Sequence, residues 1–282
     1  MKYREFAKTG FKASVVGMGT YYDPVWIATA MIFRVQRGRS RKLDALKMGL
    51  DNGINFIDTA EIYKSETIVS GAIQGRKREE FFIASKVWSN HLKPESVIKS
   101  CKRSLGRLGT SYLDLYQIHS PSSSVPIRDT MGALEKLVDE GLIRAIGISN
   151  FSYTQMLEAE EALKRQELSS TQMNYNMLHR DVEKEILPHC EKEKIAMIPY
   201  FPLAHGKLAG GGAGSPIEEI ASKRGVGNSQ VTLGWLVKRS EMNFPIPRAS
   251  QANHVKDNAS AGDFDLTDEE FRTLDSAYPF RA

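Results

Sequence analysis

Cysteine is scarce in this chain. Only Cys101 and Cys190 occur in 282 residues, and neither stands in a CxxC or other metal-like spacing. Such sparse use offers no disulfide framework and fits a reducing cytoplasm. Cys101 falls on an apolar helical stripe with Val97, Leu105 and Leu108, which reads as a core thiol. An excess of charge is lacking too, since 38 basic residues against 34 acidic ones leave a net +4. That is too little to indicate nucleic acid or a membrane as the main partner, although a modestly basic site for an anionic cofactor is compatible with it. No apolar run is long enough to span a bilayer, and Met1-Lys2-Tyr3-Arg4-Glu5 leads into no apolar core of signal-peptide length. A cytoplasmic location is therefore expected. No GxGxxG follows a strand-like run, so nothing points to a Rossmann domain. His91, His179, His189 and His205 show no ligand spacing with carboxylates or cysteines, and no metal is expected.

What the chain does have is a recurrent series of short apolar runs. They are Ala13 to Met18, Ile54 to Ile57, Phe81 to Ala84, Leu113 to Ile118, Ile143 to Ile148, Thr171 to Met173, Ile195 to Ile198 and Asn243 to Ile246. Most are apolar throughout, as strands buried on both faces of a parallel sheet must be. Helical patterns lie between them, including Pro94 to Leu108, stopped by Gly109, and Arg128 to Glu140, stopped by Gly141. Eight such strands alternating with helices indicate a (β/α)8 TIM barrel or a doubly wound sheet. No break in composition splits residues 1–282, so a single domain is expected. The segment Tyr3 to Lys12 precedes the first barrel strand and suits a small hairpin capping the barrel floor. The longest insertion, between the seventh and eighth runs, carries the Gly-rich stretch 209–214, which reads as mobile.

Barrels of this kind keep their active sites at the carboxyl ends of the strands. Asp58 follows the second run, with Tyr63 in the loop beyond it. Lys86 follows the third and His119 the fourth. Ser149 and Asn150 follow the fifth, Gln172 and Asn174 mark the sixth, Tyr200 the seventh and Arg248 the eighth. A free phenol has a pKa near 10, too high for efficient proton transfer at neutral pH. A neighbouring ammonium from Lys86 is expected to lower it, with Asp58 holding Lys86 ionised. His119 is placed to orient a substrate oxygen. Together these groups would polarise a carbonyl and protonate the developing alkoxide, and a reduction would need a cofactor, since no side chain supplies a hydride. Taken singly, each has a plainer reading. Tyr63 suits a barrel rim, Lys86 and Asp58 a structural ion pair, His119 a core histidine, Tyr200 and Phe201 core aromatics. Trp88 reads equally as packing or as pocket lining.

The segment Asp58-Thr59-Ala60-Glu61-Ile62-Tyr63 resembles the aldo-keto reductase signature. Ala84-Ser85-Lys86-Val87-Trp88 and Tyr116-Gln117-Ile118-His119-Ser120-Pro121 resemble the family's lysine and histidine motifs. Gly147 to Phe151, Gln172 to Asn176, Pro199 to Leu203 and Ile246 to Asn258 continue the match in order over essentially the whole chain. The resemblance implies a (β/α)8 barrel that binds NADPH in extended form and reduces an aldehyde or ketone to an alcohol. It implies Tyr63 as the acid, with Asp58, Lys86 and His119 completing the catalytic set. Ser149, Asn150 and Gln172 would hold the carboxamide and Tyr200 would stack on the nicotinamide. Leu203, Gly206 and Lys207 would cover the pyrophosphate, and Arg248, Ser250, His254 and Asn258 would bind the adenosine end. This chain has Arg248-Ala249 where the family commonly has Lys-Ser, and His254 where it often has Arg. Arg248 keeps a permanent charge suited to a phosphate, which favours NADPH over NADH. The glycine often found after the tyrosine is missing. The chain ends soon after the last helix, which implies an open pocket and broad substrate tolerance.

Two other functions compete with a carbonyl reductase acting on a small molecule. One is a cofactor-sensing or auxiliary barrel subunit with little turnover. The other is an isomerase or aldolase that uses Lys86 as a Schiff base. Oligomeric state is not legible.

Overall fold

The computed structural model describes residues 1–210, 212 and 214–280. Of the Gly-rich stretch expected to be mobile, Gly211 and Ala213 lie outside the described residues.

Two short strands, β1 (Tyr3–Glu5) and β2 (Lys12–Ser14), open the chain and pair antiparallel. The barrel starts at β3 (Met18–Gly19) and is followed by helices α1 (Pro24–Ile32) and α2 (Arg39–Asp51). The next units are β4 (Phe56–Asp58) with α3 (Glu66–Ile73), β5 (Phe82–Val87) with α4 (Pro94–Leu108), and β6 (Leu113–Ile118) with α5 (Ile127–Asp139). Then come β7 (Ile143–Ser149) with α6 (Tyr153–Ala162), and β8 (Leu168–Asn174) with α7 (Ile186–Glu193). Last come β9 (Ala196–Tyr200), α8 (Pro216–Arg224), α9 (Asn228–Arg239), α10 (Ala252–Ser260) and α11 (Asp268–Ala277). Helix α4 has the bounds its pattern predicts. Pro94 opens it, where a missing N–H costs nothing, and Gly109 closes it at φ 66°, a left-handed turn that a side chain resists.

Strands β3 to β9 run parallel in sequence order. The eighth run closes the ring without a regular ladder. The Phe244 and Ile246 amides donate to the carbonyls of Met197 and Pro199, at 2.9 and 3.1 Å. On the other side the carbonyls of Pro245 and Pro247 accept from Gly17 and Gly19, both at 2.9 Å. Proline has no N–H to return, so Pro245 and Pro247 only accept, and the return bond on this side comes from the Ala249 amide to the Gly19 carbonyl at 3.0 Å. The first run also differs from its reading as one strand, because Ala13 and Ser14 belong to the hairpin and only Met18 enters the barrel. The architecture is a (β/α)8 barrel.

Period-two alternation sorts the strand residues. Phe56, Phe82, Ala84, Leu115, Ala145, Ala196, Ile198, Phe244 and Ile246 pack together inside the ring. Ile57, Ile83, Tyr116, Ile146, Ile148 and Met197 face outward and pack with the helices. Phe6, at the end of β1, plugs the amino-terminal floor, its ring centroid 4.3 Å from that of Phe82 and 4.9 Å from that of Phe244. The hairpin therefore caps the floor and leaves the carboxyl-terminal face free. Among the described residues no helix is long and apolar enough to cross a membrane.

Candidate active site

On four of the strands the same alternation delivers a polar side chain two residues beyond the last inward apolar one. Asp58 follows Phe56, Lys86 follows Ala84, Gln117 follows Leu115 and Tyr200 follows Ile198, each on the inner face. These groups meet above the apolar layer. Lys86 Nζ donates to Asp58 Oδ1 at 2.5 Å and to the Thr59 carbonyl at 3.1 Å, with both side chains of the ion pair buried. Asp58 Oδ2 accepts from Gln172 Nε2 at 2.9 Å and lies 3.4 Å from Gln117 Nε2. Tyr63 ends a short 3-10 turn, Glu61–Tyr63, and its hydroxyl is 3.3 Å from His119 Nε2. Lys86 Nζ stands 5.0 Å from the Tyr63 ring centroid. Lys64, where a glycine was missed, adopts φ 58° itself and keeps the turn.

The electrostatics differ from the expected scheme in one respect. Burial, reinforced by Asp58, Tyr21 and Tyr200, holds the Tyr63 pKa well above its usual value of 10. The expected lowering by Lys86 does not occur. The ammonium is committed to Asp58, whose own charge disfavours the phenolate, and burial strips Tyr63 of its hydration. Burial lowers Lys86 itself, against the opposing pull of Asp58. Burial and then the charge on Lys86 push His119 down to about 3, so its ring is neutral at pH 7. His119 Nδ1 is buried with no hydrogen-bond partner among the described residues.

A cavity of about 950 Å³ runs over these groups. Asp58, Tyr63, His119, Ser149, Asn150, Gln172 and Tyr200 line one part, and Leu203, Gly206, Arg248, Ser250, His254 and Asn258 line the rest. Asn150, at φ 59°, accepts from the Tyr200 hydroxyl at 2.8 Å and donates to the His119 carbonyl at 2.9 Å. Ser149 Oγ donates to the Gln172 carbonyl at 3.0 Å and accepts from Asn150 Nδ2 at 3.1 Å, leaving one lone pair to accept from a ligand. Arg248 Nη1 donates to the Tyr22 carbonyl at 2.9 Å, and His254 lies in the first turn of α10. Amide and hydroxyl groups with an aromatic ring at one end, and a guanidinium beside a helix amino end at the other, fit an extended dinucleotide phosphate. Lys207 is not brought to the cavity. His205 and Gly206 both turn through positive φ, and Lys207 emerges exposed. Trp88 does not line the cavity either but packs edge-on against His119, with ring centroids 5.2 Å apart.

Three residues near the site received no role in the sequence analysis. Gln117, quoted only within the histidine motif, lies two residues beyond the inward Leu115, and period two alone would have found it. Tyr21, whose ring is 5.3 Å from that of Tyr63, lies in a loop where no periodicity operates. Glu61 was seen only as part of a motif.

Comparison with known proteins agrees with this fold. The model of the Aldo/keto reductase family matches residues 30–279. Methylglyoxal reductase YeaE of Escherichia coli is 34% identical over 269 residues, covering 94% of this chain and 90% of that protein. Glyoxal reductase of Bacillus subtilis is 35% identical over 247 residues, covering 87% and 86%. The structure of an aldo/keto reductase from Klebsiella pneumoniae in complex with NADP and acetate superposes with a TM-score of 0.84 at 32% identity, covering 99% of this chain and 95% of that one.

Proposed function

This chain belongs to the aldo/keto reductase family, and from that premise we propose that it reduces small aldehydes and ketones with NADPH, Tyr63 delivering the proton. One observation carries the assignment. The Tyr63 hydroxyl and His119 Nε2, 3.3 Å apart, face the cavity beside the buried Lys86–Asp58 pair.

Bound NADPH supplies the hydride equivalent from its nicotinamide. Ser149, Asn150 and Gln172 would hold the carboxamide, and Tyr200 would support the ring. Leu203 and Gly206 would cover the pyrophosphate. Arg248, with Ser250, His254 and Asn258, would take the adenosine end and its phosphate. The raised pKa of Tyr63 keeps its O–H intact until negative charge builds on the substrate oxygen. The proton then moves from Tyr63 to that oxygen, and the Lys86 ammonium stabilises the phenolate left behind. His119 is neutral, and its proton belongs on Nε2, because a buried N–H without a partner at Nδ1 costs more than a bare nitrogen. Nε2–H therefore points at the carbonyl oxygen and orients it.

The relatives' names favour α-oxoaldehydes such as glyoxal and methylglyoxal as substrates. Residues 1–282 act as one unit, and the buried thiols of Cys101 and Cys190 suit a cytoplasmic setting. The test is consumption of NADPH, and separately NADH, with glyoxal, methylglyoxal and simple ketones. Turnover with NADPH and an α-oxoaldehyde is expected. Tight NADPH binding without turnover on any carbonyl would contradict the proposal and favour an auxiliary, cofactor-sensing role.

A further inference from the structure

The His119 ring has one polar contact, at Nε2, and none at Nδ1 among the described residues. A catalytic histidine is usually fixed in orientation by a hydrogen bond to its second nitrogen. Here the ring is gripped by packing instead. Tyr63 meets it edge-on with centroids 5.3 Å apart, and Trp88 does the same at 5.2 Å. These two rings belong to different segments, the 3-10 turn after β4 and the loop after β5.

One side chain ties those segments together. Glu61 opens the turn that ends at Tyr63, and its carboxylate is buried. Glu61 Oε1 accepts from the Trp88 backbone amide at 2.6 Å and lies 2.8 Å from His91 Nδ1. Glu61 Oε2 is 4.0 Å from the Arg103 guanidinium. A carboxylate is kept out of water only where such donors meet it, and a bond from a backbone amide to a charged acceptor is short and directional. It therefore holds the Trp88 loop at a fixed distance from the Tyr63 turn.

We propose that Glu61 is a positioning residue for the reaction, clamping the Trp88 loop to the Tyr63 turn so that the two aromatic rings hold His119 in its working orientation. The proposal rests on the carbonyl-reductase reading for its kinetic consequences, but the clamp itself is a statement about the ring.

A double-mutant cycle tests it. Glu61→Ala should lower kcat roughly 10- to 100-fold, as small misplacements of a reacting group do, with NADPH affinity unchanged. Glu61→Gln, which keeps an acceptor for the Trp88 amide, should recover most of that loss. In a His119→Ala background, Glu61→Ala should cost less than about twofold more, because the clamp acts through the ring already removed. Wild-type kcat in Glu61→Ala overturns the proposal. So does a loss that carries over in full into His119→Ala, since Glu61 would then act on Tyr63 alone. Trp88→Phe serves in the same cycle if Glu61→Ala does not fold. A readout independent of turnover is the ring-nitrogen NMR signal of His119. It should be single and sharp in the wild type and shifted or broadened in Glu61→Ala, and an unchanged signal overturns the clamp. Absence of reductase turnover in the wild type would refute the proposed function and leave this NMR result decisive for the clamp.

Discussion

Tyr63 lies 5.0 Å from an ammonium and still holds its proton more tightly than a free phenol. At the residue scale, burial outweighs a charge that is already paired. The same burial lowers His119 to about 3 from 6.5, and the shift has a consequence for stability. Below pH 6.5 the unfolded chain binds a proton that the folded ring refuses. Stability is therefore undiminished above 6.5 and falls as pH drops toward 3, by at most about 1.4 kcal/mol per pH unit from this group. Urea unfolding across that range should show a shallower slope in His119→Gln than in the wild type. At the far end of the cleft, Arg248 is the permanent cation among the residues proposed for the phosphate. A charge-assisted hydrogen bond contributes about 1.5–3 kcal/mol, so Arg248→Met should weaken NADPH roughly tenfold or more. NADH binding should hardly change. Equal weakening of both cofactors, measured by fluorescence titration, would place the phosphate elsewhere. That Asp58, Tyr63, Lys86 and His119 come together was legible in the sequence, because they sit at strand ends or in the loop just beyond one, within motifs. Their pKa values were not, because desolvation depends on neighbours such as Tyr21 that no local pattern announces.

At the element scale, strand alternation explains why the motif after Ile146 needs a glycine. Gly147 points into the barrel, where a Cβ would come within 2.2 Å of Ser170 Oγ and 2.8 Å of Gln117 Cγ. Gln117 adjoins Asp58, so the clash reaches the site. Gly147→Ala should destabilise by about 1–3 kcal/mol, the range for overpacking, and should also lower kcat. Full activity in a variant of reduced melting temperature would mean that the strain relaxes away from Asp58. Helix α4 was legible to the residue because proline and glycine mark its ends. The eighth strand was legible as a run but not as an irregular one. Pro245 and Pro247 lie in the sequence, yet their effect depends on which neighbour each amide would face. Helix α1 was not read at all, for its Trp26 is its one buried residue and no apolar stripe announces it.

At the scale of the whole molecule, the two ends of the barrel do different work. The hairpin and Phe6 seal the amino-terminal end, and the polar groups gather at the other. Phe6→Ala should therefore cost about 3–5 kcal/mol as a large core truncation and leave kcat per folded molecule unchanged. Loss of kcat without loss of stability would show that the floor and the site are coupled. Eight apolar runs alternating with helices left a barrel and a doubly wound sheet both open, and the motif resemblance chose the barrel; the floor hairpin was legible from the residues that precede the runs. The loops over the cleft were less so. Lys207 turns outward because of backbone angles at His205 and Gly206 that the sequence does not disclose. The account as a whole stands on Tyr63 as proton donor. The most direct test is Tyr63→Phe assayed for NADPH oxidation with methylglyoxal beside a titration of NADPH binding. The account predicts a loss of most turnover with binding retained, and turnover equal to the wild type would contradict it.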